Sequence, residues 1–386
     1  MLLLLSPEKR WTNPPKKSWL PKFNGILPPS LVAFGQANIL IKPRFHYHSA
    51  TAPRTLPSLP GTVKGGPRLR IAGCGERRAR LSAEGSAILH DPEIGMATSS
   101  DRRLDNQFVA ELDRIAAWLV QQGVRRQNRF QLYRQNIAWL QAHDSEPDRA
   151  RVHADFEKRG RITEVISTFV ETIEMVETIP TLMDAGVVVP AELLKKAFSG
   201  PVDTFREDAR SNLARNAMFE LTMGAMAARR GLNPILSAVN PDVQFEFENR
   251  RVSLECKRVI SESKVFERIE EGIEQLAKSV RSGTDDVGMV AISLAKLFNP
   301  GDRIAVVPEG MHPHDLLSQE LQQLLRRAEP VLARLMRPSV TAILFYLSSP
   351  CYVPGSGYTR ASCGTVFPMN LDEQTFLRRL ASSLIA

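Results

Sequence analysis

The chain has little cysteine: four residues in 386, Cys74, Cys256, Cys351 and Cys363, with no CxxC spacing among them. So few cysteines make neither a disulfide framework nor a zinc knuckle, and a reducing cytoplasm is the expected setting. Cys351 and Cys363 have no base nearby in sequence that would make either a thiol nucleophile. Long apolar runs are also missing. The opening "MLLLL" is too short for a signal-peptide core, and nothing reaches the roughly 20 apolar residues that span a bilayer. Acidic residues are absent between Glu8 and Glu76. No Gly-Lys-Ser/Thr ending turns the glycine-rich "PGSGYTRASCG" (354–364) into a phosphate loop, so a turn or hairpin is expected there. "MHPH" (311–314) stands without further metal-ligand types and reads as a loop.

What is present is unevenly distributed. The formal net charge is +8, but residues 1–95 hold 14 Lys and Arg against 5 Asp and Glu, together with 12 of the 26 prolines. The remaining 291 residues carry 36 basic and 37 acidic side chains, so the basic character belongs to the leader and is no sign of a DNA-binding body. Residues 1–95 are expected to be a disordered, basic, Pro-rich leader, either a dispensable extension or a targeting segment. Folding is expected to begin near Met96.

Between 96 and 203 the apolar spacing predicts a helical domain. Phe108, Leu112, Ile115 and Leu119 fall on one stripe, Phe130, Tyr133, Ile137 and Leu140 on a second, and Gly123 stops the first helix. A third helix is expected from Ile162 to about Met183, broken at Pro180, and a short one after Pro190. No chemistry is read in this stretch. After "SGPVD" (199–203) the pattern changes to helix, three strands, helix, strand, helix, strand and a closing helix. The fold class expected for 204–386 is therefore α/β, a mixed sheet flanked by helices.

Two of those strands carry the chemistry. In "PDVQFEFENRRVSLECK" (241–257), Val243, Phe245 and Phe247 alternate with polar residues, as do Val252, Leu254 and Cys256. Side chains of a strand alternate between faces, so each strand has one apolar and one polar side. A turn at Asn249-Arg250 sets Val243 opposite Cys256 and Asp242 opposite Lys257. Asp242, Glu255 and Lys257 then share one polar area. An ordinary exposed cross-strand pair of Glu255 with Lys257 is the competing account.

This spacing, "PD", twelve residues, then "ECK", resembles the PD-(D/E)XK nuclease superfamily, and the surrounding α-β-β-β-α-β order resembles its restriction-endonuclease-like core. The resemblance implies a metal-dependent nuclease acting on nucleic acid, DNA before RNA. It implies that Asp242 and Glu255 ligate Mg²⁺ or Mn²⁺, joined by the main-chain carbonyl of Cys256, while Lys257 positions or polarises the attacking water. It also implies a helical glutamate before the first strand, matched by Glu220, and a glutamine on the following helix, matched by Gln275. The tyrosine that accompanies that glutamine in exonuclease-type members is absent. No membrane partner is expected, and a homodimer is compatible with the reading. The alternatives are a catalytically inactive binding module on the same fold and a helical interaction protein with the C-terminal part as scaffold.

Overall fold

The computed structural model describes residues 96–100, 106–142 apart from 126, 162–201 and 212–385, the last with short gaps at 280–285, 300–304, 333, 336–339 and 354–356. The expected leader, 1–95, and the start of the helix expected from Phe205 lie outside the described residues. In chain order the elements are β1 (Met96–Ser100), α1 (Asn106–Gln121), α2 (Asn128–Ala142), α3 (Ile162–Asp184), α4 (Ala191–Ala197) and α5 (Leu213–Arg229). Then come β2 (Ile235–Leu236), β3 (Val243–Phe247), β4 (Arg250–Arg258), α6 (Val265–Ser279), β5 (Val287–Ser293), α7 (Ala295–Phe298) and β6 (Ala305–Val306). The chain closes with α8 (Pro313–Leu332), β7 (Ala342–Val353), β8 (Gly357–Pro368) and α9 (Gln374–Ile385).

The strands form one mixed sheet in the order β1-β8-β7-β5-β4-β3-β2, with β6 pairing the far end of β7. β4, β5 and β7 are parallel neighbours at its centre. All seven residues of β5 are buried, as a strand covered on both faces should be. One face packs on α5, the other on α6 and α8. Both contacts need a missing side chain. A Cβ on Gly224 of α5 would stand 2.7 Å from Leu236 Cδ2, and one on Gly272 of α6 would stand 2.7 Å from Val290 Cγ1. The α/β class with a mixed sheet flanked by helices is thus what the chain adopts. No helix among the described residues is long and apolar enough to cross a membrane.

Several details depart from the sequence reading. The turn or hairpin expected at 354–364 is a hairpin, but its second strand was not expected: from Gly357 onward the chain enters the twelve-residue strand β8, which pairs along the length of β7. β1, at the expected start of the helical region, pairs with β8. α3 runs through Pro180, because burial of Ile173, Val176, Ile179 and Leu182 outweighs one lost hydrogen bond. All described residues belong to one compact unit, and the helices of 106–198 share a hydrophobic core with the sheet rather than enclosing one of their own.

Polar clamps hold that shared core in place. Buried Arg360 of β8 donates to Glu177 at 2.7 Å, to Glu174 at 3.3 Å and to the Tyr346 hydroxyl at 3.2 Å, tying α3 to the sheet. Buried Glu171 of α3 accepts from Arg215 at 2.6 Å and lies 3.6 Å from Arg129. The two guanidiniums hold its carboxyl down at about 2 against the opposing effect of burial.

Candidate active site

The β3–β4 hairpin turns at Glu248-Asn249, one residue earlier than the alternation suggested. Both turn residues have positive φ, 50° and 61°, and Phe247 pairs with Arg250. A two-residue hairpin turn of this hand needs left-handed backbone at both central positions, which asparagine tolerates better than arginine. Arg250 instead reaches Glu373 at 2.5 Å and lies 4.5 Å over the Phe376 ring. The register therefore differs by two: Val243 faces Leu254, and Phe245 faces Val252. A shift of two keeps every side chain on its face. Continued by one pair, this register sets Asp242 beside Glu255 rather than Lys257.

The ladder stops at Val243 and Leu254, and Asp242 takes over where it ends. Its Oδ2 accepts the Cys256 N–H at 2.7 Å. Glu255 is 1% exposed, and its Oε1 accepts from Lys257 Nζ at 2.5 Å. Its Oε2 is buried with no hydrogen-bond donor among the described residues. The charge of Asp242 acts on Glu255. Glu220, from α5, is also buried and feels the charges of Asp242 and Lys257. The structure therefore brings Asp242, Glu255, Lys257 and Glu220 together. The Cys256 thiol points into the apolar core, which leaves only its backbone to the site.

Gln275 lies half-buried on α6, which packs against β4. Its Oε1 is buried without a partner, and no hydrogen bond links it to the four residues above. Cys351 and Cys363 are buried, and burial pushes their thiols up to about 11 and about 12, as expected of inert cysteines.

Sequence reading missed two residues at this site. Asn216, one helical turn before Glu220, donates to Glu220 Oε1 at 2.8 Å. Lys196, exposed at the end of α4, exerts its charge on both Glu220 and Asp242, although no chemistry was read in the helical segment. The four-residue spacing of Asn216 to Glu220 was available in the sequence; nothing in the sequence places Lys196.

Three carboxyls share this notch with one lysine, and each is costly to ionise. Burial, then the charge of Asp242, raises Glu220 to about 8. The same two causes raise Glu255 to about 7, against the opposing pull of Lys257. Burial raises Asp242 as well, although the Cys256 N–H and Lys257 favour its charged form. In EDTA, each raised carboxyl keeps a proton in the fold that the unfolded chain has released above its ordinary 4.5. The fold then binds more protons than the unfolded chain between about pH 5 and 8, so its stability falls as pH rises through that window. Melting temperature in EDTA is expected to drop by several degrees from pH 5 to pH 8. Glu220→Gln, which cannot ionise, is expected to flatten that drop. A melting temperature that climbs over this range would contradict the assigned protonation.

As the side chains stand, no group of three or more His, Cys, Asp and Glu residues among the described residues is arranged around a metal position. Each carboxyl has a partner of its own: Lys257 for Glu255, the Cys256 N–H for Asp242, and Asn216 for Glu220. No family model, curated protein or solved structure matches the chain.

Proposed function

We propose that the chain is a metal-dependent nuclease of the PD-(D/E)XK type, on a restriction-endonuclease-like core, hydrolysing phosphodiester bonds and acting on DNA before RNA. One observation carries the reading: three carboxyls with raised proton affinity and one lysine meet where β3 stops short of β4. Fully ionised, this set is two negative charges in excess, the charge of one Mg²⁺ or Mn²⁺. Its donors are oxygens, as a hard cation requires, and Glu255 Oε2 is a buried oxygen lacking a partner. The residues fit such an ion.

Asp242, Glu255 and Glu220 would hold the metal, with the Cys256 carbonyl available beside them. A bound divalent cation would activate water and neutralise charge developing on the phosphate. The chain supplies the rest. Lys257 is anchored on Glu255 and 12% exposed, so its ammonium can donate to the attacking water or to a phosphate oxygen from a fixed position. The packed hairpin holds the carboxylates, and the buried floor of the notch keeps bulk water from screening them. Lys196, whose charge reaches Glu220 and Asp242, offers a second cation for the polyanion.

The test is the full chain incubated with plasmid, linear and single-stranded DNA in Mg²⁺, Mn²⁺ or EDTA. Cleavage is expected with either metal and none with EDTA. The Lys257–Glu255 ion pair, which occupies one oxygen of a would-be ligand, is the observation that favours an inactive binding module. That alternative predicts DNA binding with no cleavage under any of the three conditions.

A further inference from the structure

Beyond the last β3–β4 pair, β4 continues for four residues, 255–258, with no strand on that edge among the described residues. Backbone N–H groups two residues apart point to the same side of a strand. On this side they are those of Cys256 and Arg258, and both are taken by side chains. Asp242 Oδ2 accepts the first at 2.7 Å, and Asn216 Oδ1 accepts the second at 3.0 Å. Asn216 thus does for Arg258 what Asp242 does for Cys256.

The other end of the Asn216 amide donates Nδ2 to Glu220 Oε1 at 2.8 Å. Its orientation is determined, because a flipped amide would set its NH₂ against the Arg258 N–H, donor against donor. One half-buried side chain therefore links α5 to β4 with both hydrogen-bonding ends engaged. An exposed pair spaced i, i+4 on one helix holds a side chain only loosely. This link also reaches a second element, so it sets where Glu220 stands relative to Glu255 and Lys257.

We propose that Asn216 is a positioning residue that holds Glu220 in the notch as the third carboxylate of the cation site. This rests on the metal-dependent reading above. Groups that orient a metal ligand change affinity by about 10- to 100-fold when removed.

The test is a double-mutant cycle read by Mn²⁺ calorimetry on the full chain: wild type, Asn216→Leu, Glu220→Gln and the double variant. Asn216→Leu is expected to weaken Mn²⁺ binding about tenfold. The double variant is expected to bind no more weakly than Glu220→Gln alone, because Asn216 acts through Glu220. Cleavage should lose kcat while KM for DNA stays within about twofold, the pattern of a group that shapes the site without touching the substrate. Asn216→Leu also removes the acceptor of the Arg258 N–H. If it does not fold by circular dichroism, Asn216→Ser, which leaves room for water at both partners, takes its place. Losses that multiply in the double variant would overturn the positioning role and leave the metal reading standing. A wild type that binds no Mn²⁺ would overturn both.

Discussion

Lys257→Ala is expected to reduce DNA cleavage in Mg²⁺ by about 10²- to 10³-fold, the usual loss when one preorganised donor is removed from developing charge. The reason is its position. The ammonium is fixed 2.5 Å from Glu255 Oε1, on a strand that parallel pairing with β5 holds in place. Removing it leaves no apolar cavity, and Glu255, already raised to about 7, can take a proton in compensation. The fold should therefore persist, with a cooperative melt and an unchanged circular dichroism spectrum. Lys264→Ala is the matched control, since Lys264 is exposed and paired with Glu267 one turn along the chain. Asp242→Asn and Glu255→Gln are expected to lose cleavage through weakened metal binding, and excess Mn²⁺ should restore part of it. Lys257→Ala should not recover with added metal. Equal cleavage by wild type and Lys257→Ala would place the activity elsewhere.

Val252→Asp is expected to unfold the protein. Val252 is fully buried, facing Phe245 across the hairpin and Val287 on the parallel side. A carboxylate there finds neither partner nor water, at a cost of several kcal/mol. Domains of this kind have about 5–15 kcal/mol of stability in all, and the sheet shares its core with the helical segment, so the loss should spread to both. The measurement is the fraction recovered soluble and the loss of a cooperative thermal transition. Val239→Asp, at a position 73% exposed, should melt within a degree or two of wild type. A soluble Val252→Asp with a wild-type melt would mean that the hairpin does not pack as described.

Alternation in 241–257 sets Glu255 and Lys257 on one face of β4 and Leu254 and Cys256 on the other, but it leaves the cross-strand neighbours two residues out of register. A period of two cannot register a shift of two, and the backbone hand of the Glu248-Asn249 turn decided between the alternatives. β5 and β7 were legible as unbroken apolar runs, since strands covered on both faces must be. β8 was not. Its interior holds Gly364, several hydroxyl residues and Arg360, and an arginine belongs inside a sheet only when Glu174, Glu177 and Tyr346 receive it. The two glutamates lie more than 180 residues away in sequence, so no local pattern announces them.

By itself the sequence determined the α/β class of the fold and the two faces of the hairpin strands, because these follow from periodicities of two and 3.6. Only the tertiary structure decided that the register carries Asp242 toward Glu255, that Asn216 ties Glu220 to β4, and that the charge of Lys196 reaches Glu220 and Asp242 from the helical segment. It also decided how far each carboxyl holds its proton. That depends on burial and on the charges around it, which exist only once α5, β3 and β4 have packed together.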